Sequence, residues 1–177
     1  ENAEKKDSTG ICFIGERPFT DFLTTFLPKQ KGDIVDENGR FIKQHHGLPF
    51  YTIGQRKGLE IGGGYSDSPE PWFVADKLVE SNEIIAVQGD HPLLYHNTLV
   101  ADSIHWIDQS PHLPHKCSAK IRYRQASQEC QVMEIDGDCI QVSFTKPQRA
   151  ITPGQSIVFY DRDVCLGGSV IKSKSNE

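Results

Sequence analysis

Cys12 lies in Gly10-Ile11-Cys12-Phe13-Ile14-Gly15, directly after Asp7-Ser8-Thr9. Bracketing glycines and a polar lead-in predict an irregular loop. A thiol on such a loop can act as a nucleophile or hold a transferable sulfur once its neighbours lower its pKa. The apolar flanks favour a buried, inert thiol instead, and the residues alone leave both readings open. A second candidate is electrostatic. Residues 109–128 contain no Asp or Glu but carry Lys116, Lys120, Arg122 and Arg124. Cys117, Ala119, Ile121 and Tyr123 alternate with Ser118, Lys120, Arg122 and Arg124, the period of a half-buried strand. This predicts a strand over 117–124 with Lys120, Arg122 and Arg124 on its outer face and Tyr123 turned towards the core. Such a stripe suits a phosphate backbone, and it equally suits a solvated strand face.

Other chemistry-bearing residues point to less. His45 and His46 are adjacent, so on a strand they face opposite ways. His112, His115, Cys117, Cys130 and Cys139 match no zinc-ligand spacing, and no metal site is predicted. Gly62-Gly63-Gly64 follows Gln55-Arg56-Lys57-Gly58, but it lacks the strand-loop-helix context of a phosphate loop and reads as a turn. The cysteines number five and include no CxxC pair, which predicts reduced thiols and a cytoplasmic protein rather than a disulfide framework. No apolar run approaches the roughly 20 residues of a membrane span, so no membrane partner is expected.

The elements that position these residues follow from composition and pattern. A chain of 177 residues has the length of one domain or two small ones. Its 15 Gly and 10 Pro favour short strands and turns. A net charge of −5 excludes a generally basic nucleic-acid binder and leaves room for a local basic patch. Phe19, Phe22, Leu23, Phe26 and Leu27 recur with helical period between Pro18 and Pro28, which predicts a helix with one core-facing stripe. Ile34-Val35 and Phe41-Ile42 flank Asn38-Gly39 as a hairpin, and Trp72–Val74 with Ile84–Val87 form a second. Beyond Gly89-Asp90-His91-Pro92, five or six short antiparallel strands in about 80 residues predict a small closed barrel. The expected fold is mainly β with a small α+β part: residues 1–27 close a preceding domain, 28–90 form a central module, and 91–174 form the barrel.

Five segments in order resemble the bacterial tRNA-specific 2-thiouridylases: DSTGICFIGER (7–17), YTIGQRKGL (51–59), PWFVADK (71–77), KIRYRQ (120–125), and ITPGQSIVFY with CLGG (151–168). The resemblance implies a six-stranded barrel like those of translation elongation factors. It implies an enzyme, a tRNA-uridine 2-sulfurtransferase, that adenylates the C2 oxygen of the wobble uridine and replaces it with sulfur from a cysteine persulfide. Cys12 matches the persulfide cysteine, and Arg122, Tyr123 and Gln155 match tRNA-contacting positions. Lys120 and Arg124 become candidates for the tRNA backbone. ATP, with Mg, is expected on an N-terminal domain whose SGGxDS loop does not occur here, and no cofactor is expected on this chain. The implied partners are tRNA and a sulfur-relay donor protein. The chain, which opens on Glu1 rather than Met, then reads as a fragment that is inactive alone. The alternative is a stand-alone, non-catalytic RNA-binding module of translation-factor type.

Overall fold

The structure, a computed structural model, describes residues 24–27, 29–62, 65, 68–136 and 138–176. Four strands form a first sheet: β1 (Gly32–Val35), β2 (Phe41–His45), β3 (Trp72–Leu78) and β4 (Glu83–Gln88), in the order β2-β1-β4-β3. Both expected hairpins are present. Asp36 closes the first by accepting the Asn38 and Arg40 amides at 2.9 and 2.8 Å, while Gly39 takes the left-handed φ of 78°. Burial alone would raise the Asp36 carboxyl, but these amides and the Arg40 guanidinium outweigh it and hold the group below its usual range.

The pairing of β1 with β4 is parallel and joins the two hairpins into one sheet. His45 and Asn82 hold that junction. The Asn82 side chain donates to the Lys31 carbonyl at 2.9 Å. His45 is fully buried, with Nε2 3.0 Å from the Asn82 carbonyl and Nδ1 accepting the Gly47 amide at 2.9 Å. That pair of contacts requires the neutral ring with its proton on Nε2. Burial pushes the pKa of His45 down, against a smaller opposing effect of the Asn82 carbonyl.

The remaining six strands close a barrel: β5 (Tyr95–Trp106), β6 (His115–Lys120), β7 (Gln128–Asp136), β8 (Cys139–Arg149), β9 (Ser156–Asp161) and β10 (Val164–Ser175). Their order is β10-β5-β8-β7-β6-β9 and every pairing is antiparallel. Alternate residues fill the interior, among them Leu99, Ala119, Val132, Val142, Ile157 and Phe159. Closure removes the free edges at which strands aggregate. Lys174 of β10 crosses to the first sheet, where its Nζ donates to the Ala75 carbonyl at 3.1 Å and lies 3.4 Å from the Asp76 carboxylate. Burial lowers its pKa, and Asp76 partly offsets this.

Two expectations need correction or restriction. The apolar helical stripe falls mostly outside the described residues; of its described members, Phe26 is 68% exposed and Leu27 is half-buried. The strand predicted over 117–124 stops at Lys120. Ile121 still points into the core, but its amide is taken by the Gln125 side chain at 3.1 Å instead of a neighbouring strand.

Candidate nucleic-acid interface

The end of β6 builds the first wall of the site. Gln125 accepts the Ile121 amide, and its side-chain nitrogen donates to the buried Gln148 at 2.7 Å. The Gln125 amide also donates to the Arg122 carbonyl at 3.2 Å. These bonds fix a turn that projects Arg122, Tyr123 and Arg124 from the barrel. Lys120, Arg122 and Arg124 therefore do not form one stripe on one strand. Tyr123 faces away from the core: it is 79% exposed, because the turn ends the alternation that would have turned it inward. The Arg124 guanidinium carbon lies 5.9 Å from the centre of its ring.

Arg122 ties the turn to both parts of the molecule. Its Nη2 donates to the Ala150 carbonyl at 2.9 Å and, more weakly, to the Ile53 carbonyl at 3.4 Å. Gly54 makes this approach feasible. Its φ is +83°, and a Cβ there would sit 2.7 Å from the Ala150 Cβ and 3.1 Å from Arg122 Nη2. Burial lowers the Arg122 pKa and the nearby Arg149 adds to the effect, yet a guanidinium stays charged at neutral pH. Among the described residues no carboxylate lies within ion-pair distance of Arg122. Two Nη2 bonds also leave its Nε and Nη1 donors for a ligand.

The second wall is a turn between β8 and β9. The Gln155 amide donates to the Thr152 carbonyl at 3.2 Å, with Pro153 and Gly154 between them and Gly154 at φ +86°. Proline followed by a glycine with positive φ fits a type II turn. The Gly154 amide and the Gln155 carbonyl bond to the Ile171 carbonyl and amide, both at 2.8 Å. The main chain of Gln155 is thereby fixed, and the residue lines the space between the turns.

That space is a cleft of about 550 Å³ lined by Lys120, Arg122, Tyr123, Gln155 and Tyr160, among others, with no carboxylate in its lining among the described residues. Lys120 Nζ sits 5.0 Å from the centre of the Tyr160 ring. The cleft thus offers a guanidinium and an ammonium for phosphate, an exposed phenol ring for stacking, and an amide for a sugar or base edge. Arg122, Tyr123 and Gln155 meet here, with Lys120 beside them, and Arg124 stands over Tyr123. Cys12 lies outside the described residues. Tyr160 and the Gln125–Gln148 link were missed from sequence. The polar run Arg124-Gln125-Ala126-Ser127-Gln128, which breaks the apolar alternation, was the available signal for a turn.

Comparison with known proteins gives the context of this cleft. Residues 20–88 match the tRNA methyl transferase PRC-barrel domain, and residues 96–171 match the aminomethyltransferase beta-barrel domain. The tRNA-specific 2-thiouridylase MnmA of Ruthia magnifica is 65% identical over 96% of this chain. The proteins of the same name from Francisella philomiragia and Vibrio cholerae are 58% and 53% identical over 95% and 97% of it. The chain belongs to the tRNA-specific 2-thiouridylase family. It spans about half the length of these relatives, 47% in each case. The two matched domains meet between residues 88 and 96, where the chain leaves β4, takes a positive φ of 64° at Gly89 and makes a 3-10 turn over Pro92–Leu94 before β5. Among the described residues no helix is long and apolar enough to cross a membrane.

Proposed function

We propose that this chain holds tRNA and presents sulfur within a tRNA-uridine 2-sulfurtransferase. The cleft between the Arg122–Arg124 and Pro153–Gln155 turns, free of carboxylates among the described residues, carries this reading in a chain whose overall charge is −5. Lys120, Arg122 and the exposed Tyr123 phenol gather at one cleft whose described lining holds no carboxylate. A polyanion with bases to stack fits both features.

The reading of Cys12 rests on its Gly-bracketed STGICFIG segment, within a chain 53–65% identical to named thiouridylases. A persulfide on this loop presents its outer sulfur to C2 of the wobble uridine, in place of the oxygen activated by ATP-dependent adenylation. The outer sulfur attacks C2 and the adenylated oxygen leaves with AMP; a second thiol elsewhere in the enzyme then attacks the Cys12 sulfur, forming a disulfide with it and leaving the outer sulfur on C2. ATP and Mg belong to a part of the enzyme beyond these residues. Among the described residues there is no glycine-rich loop leading from a strand into a helix, so no step of ATP chemistry is assigned to them. A sulfur-relay protein is the donor, and the cytoplasm is the compartment.

The test uses the full-length enzyme with Cys12→Ser, reading 2-thiouridine in digested tRNA by mass spectrometry and tRNA affinity in parallel. Loss of 2-thiouridine with retained affinity is expected. Wild-type thiolation in that variant would overturn the role of Cys12. An unmutated full-length protein that binds tRNA and never thiolates it would return the chain to a non-catalytic RNA-binding module.

A further inference from the structure

Cys117 of β6 and Cys130 of β7 are direct partners in the antiparallel register, and their sulfurs lie 3.8 Å apart. Cys130 is buried in the barrel core and Cys117 is half-buried against it. Among the described residues Cys139 and Cys165 have no cysteine opposite them; they pair with Asp136 and Tyr160. Facing residues in an antiparallel pair hold their Cβ atoms about 4.5–5.5 Å apart, close to the 3.5–4.5 Å span of a disulfide. A small approach of the two strands is therefore enough to bond the sulfurs.

We propose that Cys117 and Cys130 form a redox modification site, oxidised reversibly to a cross-strand disulfide by hydrogen peroxide. The two sulfurs have different roles. Either thiol can donate in the hydrogen bond between them; with Cys130 as the donor, the Cys117 thiol is held below its ordinary pKa despite burial and the nearby Asp161. That same bond, with burial, pushes the Cys130 thiol far up. Cys117, the less buried of the two, is the sulfur that meets the oxidant. Its thiolate attacks peroxide, the O–O bond breaks, hydroxide leaves, and the sulfur becomes a sulfenic acid. The Cys130 sulfur then attacks that sulfenic sulfur, the S–S bond forms, and the sulfenic oxygen departs as water with the Cys130 proton. Two electrons leave the thiol pair and peroxide is reduced to two waters. The bond closes a ring over residues 118–129, at the base of the turn carrying Arg122, Tyr123 and Arg124. The site does not depend on what the neighbouring cleft binds.

The test treats the full-length protein with graded hydrogen peroxide, alkylates the remaining thiols, and sequences the tryptic peptides by mass spectrometry. The expected product is Cys117 linked to Cys130 with loss of two hydrogens, restored to free thiols by dithiothreitol. Fragment sequencing separates this bond from one to Cys139, which shares the Cys130 peptide. Cys117→Ser, near-isosteric at a half-buried position, should abolish the link while the protein stays folded. Cys165 is exposed and reports that oxidant was present. The proposal fails if Cys117 accumulates as sulfinic or sulfonic acid beside a free Cys130. It also fails if Cys117 links equally to Cys139 or Cys165, or if both thiols survive peroxide that oxidises Cys165.

Discussion

Replacing Arg122 with Ala removes two things at once, and the structure separates them. The first is the tie between barrel and sheet. Of the two carbonyls that Nη2 serves, Ala150 keeps another donor, the Thr152 hydroxyl at 3.0 Å, whereas Ile53 loses a long bond of 3.4 Å. The stability cost is therefore that of about one charge-assisted bond at a partly solvated site, roughly 1–2 kcal/mol. The second is the ligand contact. One lost phosphate contact should weaken tRNA binding by roughly 1–3 kcal/mol, about one to two powers of ten in Kd. It should also lower the slope of log K against log salt by about 1.

The assay is tRNA binding by fluorescence anisotropy in the full-length enzyme at several salt concentrations, with urea unfolding in parallel. Arg122→Lys keeps the charge and loses the planar fork. It should retain the salt slope while showing much of the stability loss. If Arg122→Ala leaves both affinity and slope unchanged while stability falls, Arg122 is only a structural tie. The assignment of the cleft to tRNA would then lose its central residue.

The remaining predictions probe the framework around this site. Gly54→Ala should destabilise the protein by about 1–3 kcal/mol, because it combines a positive φ with an overlap on Ala150, and unfolding midpoints will measure it. The neutral, buried His45 should make stability depend on pH. Its folded pKa lies below that of the unfolded chain, so the unfolded state takes up a proton first as pH falls below about 6.5. Stability is then full above that pH and declines below it, and His45→Gln should flatten the corresponding part of a plot of urea midpoint against pH. Lys174→Met should cost about 1–3 kcal/mol in the same unfolding assay by removing the bonds to Ala75 and Asp76. It should leave the tRNA salt slope unchanged, because Lys174 lies away from the cleft lining.

Much of this architecture was legible because a half-buried strand writes itself into the sequence with period two. Cys130-Val132, Ile140-Val142-Phe144 and Ile157-Phe159 each show that alternation, and all of these side chains point into the barrel. Asn38-Gly39 marked the first hairpin for an equally local reason. The parallel pairing of β1 with β4 left no comparable trace, since its partners are about 50 positions apart and the joint depends on His45 reaching Asn82. The basic segment was misread for a different reason. The alternation of residue types continues past Lys120 because Ile121 still fills the core, but the hydrogen bonding that defines the strand has already passed to the Gln125 side chain. Side-chain pattern reports which way residues face, whereas the end of a strand is decided by the partners of its amides. Tyr123 therefore stands in solvent where the pattern placed it in the core. For the same reason Arg122 was identified as a cation and missed as a tie.

The two cationic ties give the barrel and sheet a fixed relation that apolar packing alone specifies less sharply. Arg122 and Lys174 both start in the barrel region, and each places a charged nitrogen on a main-chain carbonyl of the first-sheet region, Ile53 or Ala75. A carbonyl accepts from a limited range of directions, so sliding the sheet over the barrel by a few ångströms breaks both bonds, while an apolar contact loses little over the same shift. Arg122 differs from Lys174 in also lining the cleft, so its guanidinium senses the ligand and the sheet together. A phosphate bound to its Nε and Nη1 donors leaves the Nη2 bonds in place. Bound tRNA would therefore be held at a set position relative to the central sheet, through one side chain rather than through an interface of its own. On the proposed function, in which one base of a large RNA meets one sulfur atom, such a shared anchor converts binding on the barrel into placement relative to the rest of the protein.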